Sequence, residues 1–590
     1  MPSTTHGRSG THGRSGSVAH TRRRGVLGAS VVAVLVLSAC GSSAKKTSAT
    51  TAASAAATTA AAAGSASTAA ATATTATTAA TGGKPARELV IARNMDINSL
   101  DPARSYCDTC QILLTAAYET LIGLDVNDPS KQLPRLATKW EANADNTQFT
   151  FTLDKNAKFA DGSAVTSADV KWSWERLANV KGSASYLMDG LDSITAPDAA
   201  TVVVKFKASN SAFLPIVSAS YMGITNSKLA TDQAKAQSGP GADTDTAEAW
   251  FQKGASAGSG PYEIESYVEG DKLVLKRNDK YWGTKPVFPK VTLKEVKDSS
   301  AQLQQLQQGD ADIAMQISFN SLKELQGSAK VKSATVDSYN YIYIALSPGA
   351  TGAENLKDAK VRQAIKLAID YTGMIDATVS GNGKPQASPI PNGFQGADGL
   401  TPPAQDLVKA AQLMKDAGKD AGFTLDATYP KVNVYGVDFD VMMQKVQQDL
   451  KKIKVELKLQ PVEFPQWADT IGAQGIPVTA VYFAPDHTDS SQYVQYFGMT
   501  AGSSWAGRAG GGKAGAPIIN PAEGDLYTKA QAASGDAKTK LYTQLGQAME
   551  DDLIILPMVN PKLVLAYASD ITNMHYSACC NLEVAKLGLG

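Results

Sequence analysis

Short runs in which apolar and polar residues alternate predict half-buried β-strands along much of this chain. The clearest run is Gln148–Leu153, in which Phe149, Phe151 and Leu153 share one side. Comparable runs predict strands over residues 88–93, 339–346 and 454–460.

Helices are predicted between these strands from apolar residues at helical spacing. Thr166 offers an N-cap for a helix that carries Trp172 and Trp174. Further helices are expected over residues 111–124, 300–308, 358–370, 441–452 and 538–551. Because helices and strands mix throughout without a repeat, we predict a large, multi-lobed α/β architecture.

The N-terminal region has the pattern of an export signal. Residues 1–24 contain five arginines and no acidic residue, and an apolar run over residues 26–37 leads to Ser38-Ala39-Cys40. A basic flank, a short apolar core and small residues before a cut site indicate a signal peptide, here residues 1–39. The run is shorter than the roughly 20 residues of a membrane span, although an uncleaved anchor is the alternative. The export route, general or twin-arginine, stays open.

Leu37-Ser38-Ala39-Cys40 resembles a bacterial lipobox. The resemblance implies that Cys40 is lipidated and becomes the first mature residue, which would anchor the protein at the outer face of the cell membrane. Residues 44–84 are almost entirely Ala, Thr, Ser and Gly. We therefore expect residues 40–86 to form a disordered tether that spans roughly 35 Å root-mean-square.

Charge and composition limit the partners of the mature body. Removing the leader's five arginines from the 56 basic residues leaves 51, against 56 acidic residues. This balance argues against nucleic-acid binding. The chain is 43% apolar and has no second run of membrane-spanning length. About 500 residues after the tether suffice for two or three packed domains.

Besides Cys40 the chain has four cysteines, which are Cys107, Cys110, Cys579 and Cys580. In an exported protein an even number favours disulfides, and their connectivity stays open, including pairing between the two ends of the body. A zinc site is the alternative, but adjacent cysteines do not easily chelate one metal. We predict no metal site and no cofactor.

Several motifs occur in the order that is typical of one family of binding proteins. The first block comprises residues 133–141 (LPRLATKWE), the strand Gln148–Leu153 and residues 158–170 (KFADGSAVTSADV). Later blocks are Gly258-Ser259-Gly260-Pro261-Tyr262 and residues 306–313 (LQQGDADI), 360–370 (KVRQAIKLAID) and 388–391 (SPIP). The set covers residues 88–565 and resembles the extracellular solute-binding protein family 5, the dipeptide, oligopeptide and nickel binders of ABC importers.

The resemblance implies an α/β fold of the periplasmic-binding-protein type (type II, large cluster C), with two hinged lobes and a small accessory subdomain. We place the first lobe at residues 87–338, with the accessory subdomain at about 128–195. The second lobe is expected at 339–550, and residues 551–590 return to the first. Hinge closure of such lobes buries a ligand between them.

The family's role implies a subunit that catalyses no reaction. The expected partners are a small solute, with a peptide favoured, and the permease and ATPase subunits of an importer. The protein is expected to be an extracytoplasmic monomer held at the membrane by its lipid.

Candidate ligand contacts follow from the same resemblance. Peptide binders of this family hold the ligand's ammonium with an Asp in a Pro-Asp loop, and residues 482–489 (YFAPDHTD) correspond to it. Asp486 matches best and Asp489 second, although the spacing departs from the usual Pro-Asp-Pro-Asp. A solvated loop carboxylate is the alternative for each.

Aromatic candidates are less specific. Tyr339, Tyr341 and Tyr343 share one side of a predicted strand and either line the cleft or, as we favour slightly, belong to the core. Trp505 and Tyr106 occupy positions where relatives have cleft residues.

Two other functions are alternatives to solute import. Gly254-Ala255-Ser256-Ala257-Gly258 fits a serine-hydrolase motif, but no strand-to-helix elbow surrounds it, and only His487 and His575 in the mature chain offer a base. A surface receptor or sensor that takes no part in transport would use the same scaffold, and the sequence does not separate it from an importer subunit.

Overall fold

The computed structural model describes residues 87–590 except residues 127, 499–504, 506–519 and 579. The predicted signal peptide, Cys40 and the tether lie outside the described residues. No described helix combines the length and the apolar character needed to cross a bilayer.

The first of two large sheets is built from both ends of the body. Leu89–Arg93 pairs in parallel with Lys290–Glu295 on one side and with Ile313–Ala314 on the other. The strand order across the seven-stranded sheet is Val331–Val336, Leu563–Ala568, Ile313–Ala314, Leu89–Arg93, Lys290–Glu295, Lys272–Arg277 and Tyr262–Val268. We call this sheet and the elements packed on it the first lobe.

The second sheet uses the middle of the chain and defines the second lobe. Its strand order is Gly383–Lys384, Ile555–Pro561, Tyr341–Leu346, Val478–Phe483, Phe423–Pro430 and Val455–Val462. The chain passes between the sheets after Val336 and again between Pro561 and Leu563. The second passage lies downstream of the predicted boundary at residue 551.

A smaller antiparallel sheet of four strands lies in the part of the chain where the accessory subdomain is predicted. Its order is Ala137–Ala142, Gln148–Leu153, Thr201–Phe206 and Leu191–Asp198, so it continues beyond the expected limit near residue 195. The helix Ser167–Val180 packs on it, with the rings of Phe151 and Trp174 at 5.9 Å. Thr166 and Asp169 form a capping box at the start of that helix.

Helices connect and flank these strands. Those of the described residues are Asp108–Ala117, Ser167–Val180, Phe213–Val217, Ser227–Ala234, Glu248–Phe251, Ser299–Gln308, Leu322–Leu325, Ala359–Ala368, Tyr371–Val379, Leu407–Asp416, Phe439–Lys451, Phe464–Gln474, Ser491–Phe497, Pro521–Ala532 and Gly535–Asp552. Short two-stranded pairs are Ile122–Leu124 with Gln132–Pro134, Asn433–Val434 with Val437–Asp438, and Ile571–Thr572 with Gly588–Leu589.

The helix predicted over residues 111–124 is wrong in its second half. The helix is Asp108–Ala117, and Ile122–Leu124 is a strand. The carbonyl of Ala117 accepts the backbone N–H of Gly260 at 3.0 Å, so a distant segment satisfies the helix end. The apolar run over residues 111–124 predicted a longer helix because the local sequence does not show that Gly260 meets Ala117.

The strand Tyr341–Leu346 separates two hydrophobic cores. Tyr341 and Tyr343 pack into the core that includes the first sheet, whereas Ile342 and Ile344 pack into the core of the second lobe. All six residues of the strand are buried. The alternating side chains of this strand therefore point to opposite faces, and each face packs into a different core.

Candidate functional site

Asp486 lies in the loop that follows the strand Val478–Phe483. Its backbone N–H donates to Gln492 Oε1 at 2.8 Å, and Gln492 Nε2 donates to the carbonyls of His487 and Asp489. Gln492 lies in the helix Ser491–Phe497 and thereby fixes the loop. The Asp486 residue is only 2% exposed.

Three side chains of the first lobe donate to the Asp486 carboxylate across the lobe boundary. Tyr106 and Tyr186 donate their hydroxyls to Oδ2 at 2.8 and 2.6 Å, and Gln111 donates Nε2 to Oδ1 at 3.4 Å. Tyr106 precedes the helix Asp108–Ala117 that carries Gln111, and Tyr186 lies in the 3₁₀-helix Ser183–Met188. Two predicted site residues, Asp486 and Tyr106, are thus in direct contact.

Within the described part of the chain, the Asp486 carboxylate contacts neutral hydrogen-bond donors. Among the described residues no cation pairs with it, and its donors are two hydroxyls and an amide. Burial raises the pKa of Asp486 to about 6, and these hydrogen bonds oppose the shift only in part. A buried carboxylate without a cation is costly, and its lone pairs can accept a further hydrogen bond. An ammonium group from a ligand would supply the missing cation and the further hydrogen-bond donor.

Asp489, the second candidate, is already paired inside the second lobe. Its carboxylate accepts Lys538 Nζ at 2.7 Å and the Tyr542 hydroxyl at 2.6 Å. Burial by itself would raise the pKa of Asp489, but the charge of Lys538 holds that pKa below its usual value. Burial also lowers the pKa of neighbouring His487 to about 4. This cluster holds the loop in place.

The aromatic candidates lie in different surroundings. Tyr341 is buried in a cluster of rings and lies 5.3 Å from the ring of Tyr343 and 6.3 Å from that of Phe483. Trp505 is 1% exposed. Tyr339 is partly buried and lines a separate cavity of about 360 Å³. The structure therefore does not gather these candidates around one point.

A larger cavity of about 590 Å³ opens between the lobes, a size typical of ligand sites. The first lobe contributes residues 93–98, and the second contributes residues 431–434, Phe464 and Tyr482. Asp108 also lines it. Asp108 is one helical turn from Gln111, so the inner wall of this cavity lies close to the Asp486 site.

A polar network on that inner wall joins both lobes. Arg93 donates to Asp108 Oδ2 at 3.3 Å, and Tyr435 and Asn581 donate to Oδ1 at 3.2 and 2.6 Å. Burial raises the pKa of Asp108 to about 6 although Arg93 opposes the shift. The start of the helix Asp108–Ala117 is therefore held by residues that are distant in sequence.

A disulfide stabilises the same helix start. Cys107 and Cys110 are bonded to each other, and Cys107 Sγ accepts the backbone N–H of Cys110 at 2.9 Å. Cys580 is buried beside Leu124, and Cys579 lies outside the described residues. Within the described part of the chain, no group of three or more His, Cys, Asp or Glu residues is arranged to hold a metal ion.

Ser256 lies in a setting that does not suit a nucleophile elbow. The motif follows the short helix Glu248–Phe251 and precedes the strand Tyr262–Val268, the reverse of strand followed by helix. Its hydroxyl has no hydrogen-bond partner among the described residues, so no base is positioned to activate it.

Gln111 and Tyr186 contact Asp486 and were not predicted. Gln111 lies in a largely apolar helix. The one local indication of a site there is that a polar residue interrupts the apolar sequence. Tyr186 comes from a segment without a motif.

The known proteins that this chain resembles are solute-binding proteins. Residues 131–505 match the family described as bacterial extracellular solute-binding proteins, family 5 Middle. A probable D,D-dipeptide-binding periplasmic protein of Escherichia coli strain K12 is 30% identical over 419 residues, 70% of this chain and 78% of the relative.

Two solved structures show the same fold. A dipeptide-binding protein from Pseudoalteromonas, solved with Met-Leu, has a TM-score of 0.75 at 19% identity and covers 85% of this chain and 100% of that one. An oligopeptide-binding protein from Bacillus subtilis, solved with a nonapeptide, has a TM-score of 0.74 at 20% identity over 86% of this chain and 100% of that one.

These likenesses confirm the predicted type II periplasmic-binding-protein fold. They also confirm that the protein is a transport binding protein and not an enzyme. The chain belongs to the bacterial extracellular solute-binding proteins of family 5.

Proposed function

We propose that this chain is the receptor of an ABC importer and captures a short peptide, or a similar small solute with a free ammonium group, between its lobes. The observation that carries the proposal is Asp486, a buried carboxylate at the lobe boundary with three neutral donors and no cationic partner among the described residues. The relatives named above as dipeptide and oligopeptide binders support a peptide.

Closure would couple binding to transport. The contacts of Asp486 with Tyr106 and Tyr186 form only when the lobes meet. A ligand that is held by both lobes stabilises the closed form, because its contacts are complete only in that form. The closed monomer would then pass its ligand to permease and ATPase subunits.

Lipid attachment through Cys40 is the second part of the proposal. The tether over residues 40–86 would leave the lobes free to collect solute near the permease. The sequence pattern at Leu37–Cys40 supports this part.

Peptide titration of the purified chain tests the binding function. We expect unmodified di- and tripeptides to raise the melting temperature, because a ligand at about 100 times its Kd adds about 2.7 kcal/mol to the free energy of unfolding. The matched controls are the same peptides with an acetylated N-terminus. These lack the ammonium charge and should bind about tenfold to a hundredfold more weakly.

Two outcomes would contradict the proposal. If no peptide raises the melting temperature, the ligand is not a peptide. If acetylated and free peptides bind equally, Asp486 does not hold an ammonium group. A receptor outside transport would bind in the same way, but deleting its gene would leave the uptake of labelled peptide unchanged.

A further inference from the structure

Residues 106–111 (YCDTCQ), here called the disulfide segment, carry a contact to the candidate site on each side of the Cys107–Cys110 bond. Tyr106, directly before the first cysteine, donates its hydroxyl to Asp486 at 2.8 Å. Gln111, directly after the second cysteine, donates Nε2 to the same carboxylate at 3.4 Å. The two ends of the bond therefore adjoin two of the three described donors to Asp486.

The two residues between the cysteines contact the cavity between the lobes. The backbone N–H groups of Asp108 and Thr109 donate to the two carboxylate oxygens of Asp96 at 3.0 and 2.8 Å. Asp96 and Asp108 both line that cavity. A disulfide removes conformational freedom from the ring of residues that it closes. The bond thus orders a wall of the cavity together with the donors to Asp486.

The two cysteines differ in their access to solvent. Cys107 is partly exposed, whereas Cys110 is fully buried. A thiolate from solution therefore reaches the sulfur of Cys107 first. Exposed disulfides undergo exchange more readily than buried structural ones, and they are the ones that serve regulation.

We propose that the Cys107–Cys110 bond is a thiol–disulfide exchange site that controls ligand affinity, with a dithiol as its reaction partner. This inference rests on the proposed function, in which Asp486 holds the ammonium group of a peptide. One thiolate of the dithiol attacks Cys107 Sγ, and Cys110 leaves as a thiolate that takes up a proton. The second thiolate of the dithiol then displaces Cys107, which is protonated in turn. The chain gains two electrons and two protons, and the dithiol becomes a disulfide.

Reduction weakens the site without dismantling it. Tyr106 keeps its other partners, since its N–H donates to Asn98 Oδ1 at 2.9 Å and its ring lies 5.1 Å from that of Tyr221. What is lost is the fixed link between Tyr106 and Gln111, so the segment has to be ordered when the ligand binds. The ordering of so short a ring corresponds to a change in Kd of about tenfold.

Titration calorimetry with the tripeptide Ala-Ala-Ala tests the proposal on the purified chain. The three samples are the oxidised chain, the chain reduced with dithiothreitol, and the double variant Cys107→Ser/Cys110→Ser. Serine at position 107 keeps an N-cap oxygen, so this variant removes the bond and retains the cap. We expect the oxidised chain to bind about tenfold more tightly than the other two. Dithiothreitol should change nothing further in the double variant, which controls for the other cysteines.

Two further measurements separate control of the site from a general loss of structure. In Asp486→Asn, which removes the shared charge, reduction should change the Kd by no more than about twofold, whereas a merely structural bond would give the full loss in both backgrounds. By linkage, saturating Ala-Ala-Ala should raise the ratio of oxidised to reduced bond by the same tenfold or so, at a fixed ratio of reduced to oxidised dithiothreitol.

The results separate this inference from the proposed function. Equal peptide affinity of the oxidised and reduced chains, or an undiminished effect of reduction in Asp486→Asn, would overturn the inference and leave peptide capture intact. A bond that dithiothreitol reduces only after the chain is unfolded would also overturn it. If neither Ala-Ala-Ala nor another peptide binds to the oxidised chain, both proposals fail.

Discussion

At the scale of single residues, Asp486 and Asp489 show how partners determine the role of a carboxylate. Both are buried in one loop, yet their pKa values move in opposite directions. Asp489 has Lys538 at 2.7 Å, whereas the donors to Asp486 that the structure describes are all neutral. The pKa of Asp486 is raised, so its contribution to the stability of the free protein is lost as the pH rises through about 6. In the proposed function, this carboxylate serves binding near neutral pH at the expense of stability.

Replacing each of the two carboxylates should therefore have different effects. Asp486→Asn is expected to weaken peptide binding by about 1–3 kcal/mol, through loss of a charge-assisted hydrogen bond. At pH 7 it should not lower the free energy of unfolding of the free protein, because it removes a buried charge that has no cationic partner among the described residues. Asp489→Asn should lower the free energy of unfolding by about 3–5 kcal/mol, because Lys538 stays buried without its partner. Calorimetry and urea unfolding at pH 7 measure both. Unchanged peptide affinity in Asp486→Asn would remove this residue from the site.

At the scale of elements, the segment Gly258-Ser259-Gly260 fixes the end of the helix that carries Gln111. A Cβ at Gly258 would lie 1.9 Å from the carbonyl oxygen of Ala117, and one at Gly260 would lie 2.5 Å from that of Ala116. The two glycines allow this close approach, and Gly260 also donates its N–H to Ala117. The motif thus positions a helix whose opposite end forms the candidate site.

Gly258→Ala should separate these two elements. We expect a loss of about 1–3 kcal/mol in the free energy of unfolding, because the added methyl group meets backbone that cannot move aside. Gly239→Ala is the matched control, since no atom lies within 4 Å of its added Cβ. Urea unfolding of both variants measures the difference. Equal stabilities would show that the contact is not tight in solution.

At the scale of the whole molecule, two lobes meet at a cavity that neither contains alone. The chain passes between the sheets near Val336 and near Pro561, and the network of Arg93, Asp108 and Tyr435 bridges the lobes on the inner wall. Few covalent connections between the lobes suit opening and closing. In the proposed function, the lipid at Cys40 holds this moving body at the membrane.

Cys40→Ala should release the protein from the membrane without changing its peptide affinity. In the proposed function the acyl chains are the anchor, so we expect the chain without them in the soluble fraction after cell fractionation. Ser42→Ala, two residues further on, is the control and should stay with the membrane. If Cys40→Ala also stays there, an uncleaved N-terminal helix anchors the chain instead.

The sequence by itself determined the fold class, because alternating runs such as Gln148–Leu153 and the ordered blocks from residue 133 depend on local spacing. It also singled out Asp486 and Tyr106, through motif position. Their contact, and the contacts of Gln111 and Tyr186 with Asp486, were decided by tertiary structure alone. Sites made from both lobes join residues hundreds of positions apart, and no local sequence pattern predicts contacts over that separation. The same reason explains why Asp489 looked equivalent to Asp486: only folding brings Lys538 to one of them.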